Sequence, residues 1–148
     1  MTSFSRYRYA FIRRLVTVAA ATPLVVAALP GTAHAATTTA CLVDYQILQQ
    51  GAGGFAADIT LVNLGDPVAG WVLSWQMNPG EQLGAVWQAD LTQSGTWVAA
   101  DPGTAAAAYL PTGAQITFGW TASTPTATTV PTAFWFKGVL CQIAPAAS

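Results

Sequence analysis

Charge is the scarcest thing in this sequence. Only 7% of its 148 residues are Asp, Glu, Lys or Arg, and there is a single histidine. The four arginines (Arg6, Arg8, Arg13, Arg14) and His34 all precede residue 36. Beyond that point Lys137 is the one cation against Asp44, Asp58, Asp66, Glu81, Asp90 and Asp101, a formal charge of −5. Phosphate backbones and anionic membrane surfaces are recognised through Lys and Arg, so neither nucleic acid nor membrane is an expected partner of residues 36–148. Without histidine there is no Ser-His-Asp or Cys-His arrangement and no imidazole metal site. Cleavage that left His34 as a new N-terminus would still lack a second histidine for a two-histidine copper brace. No metal and no cofactor is expected.

Long hydrophobic runs are also missing, with one short exception near the start. Residues 15–29 are apolar and rich in Val and Ala, preceded by the arginines and followed by Ala33-His34-Ala35. A positive end, an apolar stretch and a small-x-small site make a secretory signal, expected to be cleaved after Ala35. A retained anchor fits less well: the run is shorter than the ~20 residues a spanning helix needs, and Pro23 interrupts it. Residues 1–35 are thus read as signal peptide and 36–148 as one secreted domain.

Cysteine is limited to Cys41 and Cys141. In an exported chain such a pair most simply forms one disulfide. Two free buried thiols are the disfavoured alternative.

Alternating strands are what the sequence does have. In residues 70–77, Trp71, Leu73, Trp75 and Met77 share one parity and Ser74 and Gln76 the other. Successive strand residues point to opposite faces, so two indoles, a Leu and a Met lie on one side and need a second sheet to cover them. Gly70 and Asn78-Pro79-Gly80 bound this central strand with turn chemistry. Further strands are expected over 41–48, 55–63, 83–91, 96–98, 114–121 and 132–140. The alanine-rich residues 101–108 and the Thr/Pro/Ala-rich residues 121–131 are expected to be loops within the domain. Short strands with regularly spaced turns predict an all-β antiparallel sandwich.

Six acids on a small domain will form some carboxylate pair by chance, and most of them sit in or beside turns. No complete pair of glycosidase carboxylates, about 5–10 Å apart across a cleft, is evident, so no enzyme activity is expected. Tryptophan is in surplus. Six indoles, all after residue 70, exceed what a small core usually holds, because each N–H wants a partner. Any one of them is more often core than ligand-binding. Exposed on a flat sheet, however, an indole suits the apolar face of a sugar ring.

These residues together resemble a family 2 carbohydrate-binding module, the cellulose- and chitin-binding type of secreted actinobacterial glycosidases. The resemblance rests on Gly54-Phe55, Asn63, Gly70-Trp71-Val72-Leu73, Trp87, Thr92-Gln93-Ser94-Gly95, Phe118-Gly119, Pro131-Thr132-Ala133-Phe134, Gly138 and both cysteines. It implies a jelly-roll-like or immunoglobulin-like β-sandwich of about nine strands with a planar face of three exposed tryptophans. Only the middle one is present, at Trp87. The first falls on Gln50 or Gly51 and the third on Ala105 or Ala106. The family's hydrogen-bonding amides fall on Asp58, Thr117 and Thr121. Parity places those three on the surface. It places Trp87 with Leu83 and Leu91, in the core, unless the strand bulges. Trp97 and Trp135 have no counterpart in the pattern.

The resemblance implies a monomeric, stand-alone polysaccharide-binding module whose partner is insoluble cellulose, chitin or xylan, with binding weakened or altered in specificity. The other reading is a sandwich that has lost sugar binding and serves as a secreted or surface interaction protein.

Overall fold

The computed structural model describes residues 40–104 and 106–145. The expected signal segment 1–35 lies outside the described residues, as does Ala105. The strands are β1 (Cys41–Gly51), β2 (Gly54–Asn63), β3 (Val68–Ala69), β4 (Leu73–Gln76), β5 (Gln82–Trp87), β6 (Asp90–Ser94), β7 (Trp97–Asp101), β8 (Tyr109–Leu110), β9 (Gln115–Ser123), β10 (Phe134–Phe136), β11 (Val139–Leu140) and β12 (Gln142–Ile143). Four of the twelve are two-residue pairings, which is why the number exceeds the expected nine or so.

Two five-stranded sheets, ordered β12-β1-β2-β9-β5 and β11-β10-β4-β7-β6, form the sandwich, and β3 and β8 pair separately. Pairing is antiparallel except where β12 runs parallel to β1. The alternation in β2 explains its place at the centre of the first sheet. Phe55, Ala57, Ile59 and Leu61 are buried, while Ala56, Asp58, Thr60 and Val62 point the other way. On the second sheet Trp71, Leu73, Trp75 and Met77 are buried as their parity requires. Trp71 lies just before β4 and donates its indole N–H to the Ala107 carbonyl at 2.9 Å. The sheets meet through aromatic rings: Trp75 is 5.0 Å from Trp120 and 6.3 Å from Phe118, centroid to centroid.

Two segments depart from the sequence reading. Residues 83–91 are not one strand. Gln88, at φ 68°, turns the chain so that β5 and β6 fall in different sheets. Residues 132–140 are a hairpin, not one strand. Lys137 and Gly138, at φ 49° and 82°, form a two-residue turn between β10 and β11, the left-handed pair that matches strand twist.

The indole surplus resolves by position. Trp71, Trp75 and Trp120 are buried, whereas Trp87, Trp97 and Trp135 keep solvent contact. The indole N–H groups of Trp75 and Trp120 find no hydrogen-bond acceptor among the described residues. Asn63 is the buried polar anchor. Its amide donates to the carbonyls of Asp66 (2.8 Å) and Leu110 (3.0 Å), and its oxygen accepts from the Gly65 N–H at 3.1 Å. Cys41 and Cys141 are disulfide-bonded, beside the parallel β1–β12 pair.

Candidate functional site

Side chains that alternate away from the core gather on the outer face of the β12-β1-β2-β9-β5 sheet. One row across it reads Gln46, Asp58, Gly119 and Trp87, on β1, β2, β9 and β5 in turn. The adjacent row is Asp44, Thr60 and Thr117. On the other side Ala56 pairs with Thr121. Trp87, Asp58, Thr117 and Thr121, the residues singled out from sequence, therefore share one face.

Trp87 reaches that face through a bulge. Leu83 pairs with Ala122 and Val86 with Trp120, so three steps on β5 match two on β9. The extra residue reverses the parity of the positions after it. Leu83 and Val86 pack against the core, and Trp87 turns outward, 38% exposed. Thr121 secures the bulge: its hydroxyl oxygen accepts the Ala85 N–H at 2.9 Å. Gly119 then seats the indole. A Cβ at Gly119 would lie 2.4 Å from Cζ2 of Trp87, 2.6 Å from Cε2 and 2.7 Å from the Ala57 carbonyl oxygen. Only a residue without a side chain lets the ring rest this close to the strand.

The polar groups differ in how free they are. The Thr117 hydroxyl is 2.8 Å from that of Thr60, so the two share a hydrogen bond. Asp44 accepts from the Gln46 amide at 3.1 Å. Asp58 has its carboxyl pushed above the ordinary value, first by partial burial and second by the negative charge of Asp44. Both effects disfavour the anion. Gln46 and Asp44 were not singled out from sequence, although their shared parity in β1 was a usable signal.

Beyond Ala56 the face runs into a hollow of about 300 Å³, lined by Gln49, Gly51, Ala52, Gly54, Phe55, Ala56 and Thr121. Gly51, one of the two positions where the resemblance puts its first tryptophan, borders that hollow. A Cβ there would meet nothing within 4 Å. Of the two positions for the third tryptophan, Ala106 packs against the core and Ala105 lies outside the described residues. No group of three or more His, Cys, Asp or Glu that could hold a metal occurs among the described residues.

A family model described as cellulose binding domain matches residues 41–141. Endoglucanase CelA of Streptomyces lividans is 39% identical over 105 residues, which is 70% of this chain and 23% of that protein. Endoglucanase A of Cellulomonas fimi is 40% identical over 67 residues, 41% of this chain and 15% of that protein. The chain thus spans less than a quarter of the length of these curated relatives. Among solved structures, the cellulose-binding family 2 carbohydrate-binding domain of ScLPMO10C is similar at 28% identity and TM-score 0.51, over 64% of this chain and 93% of that one. The chitin-binding domain of Chi18aC from Streptomyces coelicolor superposes at TM-score 0.56 and 23% identity, over 69% of this chain and 94% of that one, a likeness of fold.

Proposed function

The chain belongs to the cellulose binding domain family, and on that premise we propose that it is an exported polysaccharide-binding module that stacks a sugar ring on Trp87. In this reading residues 1–35 direct export and residues 36–148 are the single binding domain. The observation behind it is the bulged strand β5, which turns one indole onto Gly119, outside the core and level with a row of polar side chains. The apolar C–H face of a pyranose packs on the indole. Asp58 and Gln46 accept and donate to hydroxyls along the same row, with Thr117 and Thr121 at its flanks. Insoluble cellulose, chitin or xylan is the partner class, with cellulose favoured by the description of the matching family and the name of the 28% identical solved domain.

With one indole in place of three, binding is weaker than in a full three-tryptophan face. Each missing platform is worth roughly 1–3 kcal/mol, by analogy with bases stacked on aromatic side chains. The missing indoles favour a second reading in which sugar binding is lost and the sandwich contacts another protein: Gln50 and Gly51 carry none, and Ala106 is packed against the core.

A pull-down on insoluble cellulose, chitin and xylan separates the two. Retention of the wild type on at least one glycan is expected. Trp87→Ala should abolish it with a nearly unchanged melting temperature, because the ring lies outside the core. Failure of the wild type to bind any of the three would leave the second reading. Binding, and not hydrolysis, is the proposed role. The purified protein should therefore release no reducing sugar from these glycans, and release that vanishes on a single Asp→Asn substitution would overturn that.

A further inference from the structure

The opposite sheet holds a second aromatic surface. Trp97 on β7 and Trp135 on β10 both point away from the core, and their ring centroids are 5.2 Å apart with planes inclined at 52°. Trp97 is 44% exposed. Lone exposed aromatics need no explanation, but two in contact on a sheet face form a patch that does. Around them the outward polar side chains are Ser74, Gln76, Thr92 and Ser94, with Ala99 and the exposed Leu140, opposite Trp135, as the apolar neighbours. Ser74, Thr92 and Ser94 line, together with Trp97, a shallow depression of about 170 Å³. The indole pair and these four side chains include no charged group. Asp90 and Asp101 occupy the next outward row, beyond Thr92 and Ala99.

That chemistry narrows the ligand. An uncharged patch on a domain of net negative charge does not recognise anions, and it lacks the carboxylates that would hold a cation beside the rings. Hydroxyls and an amide around an indole pair match a neutral, polyhydroxylated molecule with apolar C–H faces. The partially positive C–H groups of a pyranose meet the negative ring faces, and the small side chains exchange hydrogen bonds with its hydroxyls. The inclination of the rings adds a constraint. No flat crystal surface can lie on two planes 52° apart, whereas a single chain can, because its sugars rotate about their linkages.

We infer that the Trp97–Trp135 surface is a second carbohydrate-binding site, on the sheet opposite Trp87, that takes a single neutral glycan strand. A module with both sites would hold two strands, one on each side of the sandwich. The second site does not depend on the first.

The test follows the indole N–H signals of the 15N-labelled protein by NMR during titration with soluble cellohexaose, xylohexaose and chitohexaose. The Trp97 and Trp135 signals should move together and saturate with at least one sugar, in the wild type and in Trp87→Ala alike. Trp97→Ala should weaken the response at Trp135 roughly tenfold or more, the loss of one stacking platform, while the Trp87 response stays as it was. If Trp97→Ala does not fold, Trp97→Phe should give a smaller loss of the same kind. Pair signals that stay fixed with all three sugars would overturn the inference, whether or not the Trp87 signal moves. So would signals that shift with protein concentration in the absence of sugar, since the pair would then join copies of the chain.

Discussion

Tyr45 carries a prediction separate from binding. It lies against the core aromatics, 5.7 Å from Trp120 and 5.9 Å from Phe134. Burial first, and the nearby Glu81 carboxylate second, push its phenol far above the ordinary value. The folded protein therefore keeps a proton that the unfolded chain gives up from about pH 10. Where the native state binds more protons than the unfolded one, stability falls as pH rises. This group should leave stability flat through neutral pH and lower it progressively above about pH 10. Tyr45→Phe should remove that alkaline decline, as read from urea midpoints across the range. An equally steep decline in the variant would assign it to other groups. Nothing in the sequence announced this, because the proximity of Tyr45 and Glu81 exists only after β1 and the turn before β5 are brought together.

At the scale of elements, the bulge in β5 sets the parity of Trp87. The bulge absorbs one residue in excess: with Ala85 removed, two steps on β5 would match two on β9, leaving Leu83 and Val86 inward and Trp87 outward. The deletion variant should therefore fold and keep its glycan retention. Retention lost in a well-folded variant would show that the bulge shapes the face by more than parity. The strands themselves were largely readable. Residues 55–63 and 70–77 alternate cleanly because an antiparallel sandwich buries one face of each strand. The Asn78-Pro79-Gly80 turn was readable too, with Gly80 at φ 87° and the Glu81 carboxylate accepting the Asn78 N–H at 2.9 Å. The break at Gln88 was not, since a non-glycine residue in the left-handed region leaves no mark in composition. The bulge stayed hidden for a related reason. It is fixed by Thr121, 36 positions away along the chain.

For the whole molecule, the sandwich and the disulfide followed from patterns that the sequence displays, but the strand order did not. Which strand lies beside which is decided by long-range contacts, and so is the separation of the indoles into a buried trio and two outer surfaces. The resemblance supplied a place for Trp87 where parity alone pointed inward. It supplied none for Trp97 and Trp135, because it contains no counterpart to them. The Cys41–Cys141 bond closes a loop with a sequence separation of 100. In the chain-entropy model such closure is worth on the order of 4–5 kcal/mol.

That same bond decides how the domain responds to being pulled. The first and last strands lie side by side, with Leu42 opposite Gln142, and the disulfide joins the chain at the residue before each of these two. Tension applied through the flanking residues passes from one cysteine directly to the other. The strands between them, including both aromatic faces, are bypassed and feel almost no force. Among the described residues, Ala40 on one side and the segment from β12 onward on the other lie outside the covalent shortcut and can be peeled away. A single molecule stretched by its ends should therefore show no sandwich-unfolding step until a reductant is added, and then extend by nearly the full contour of the enclosed chain. An unfolding step under oxidising conditions would mean that the shortcut is open.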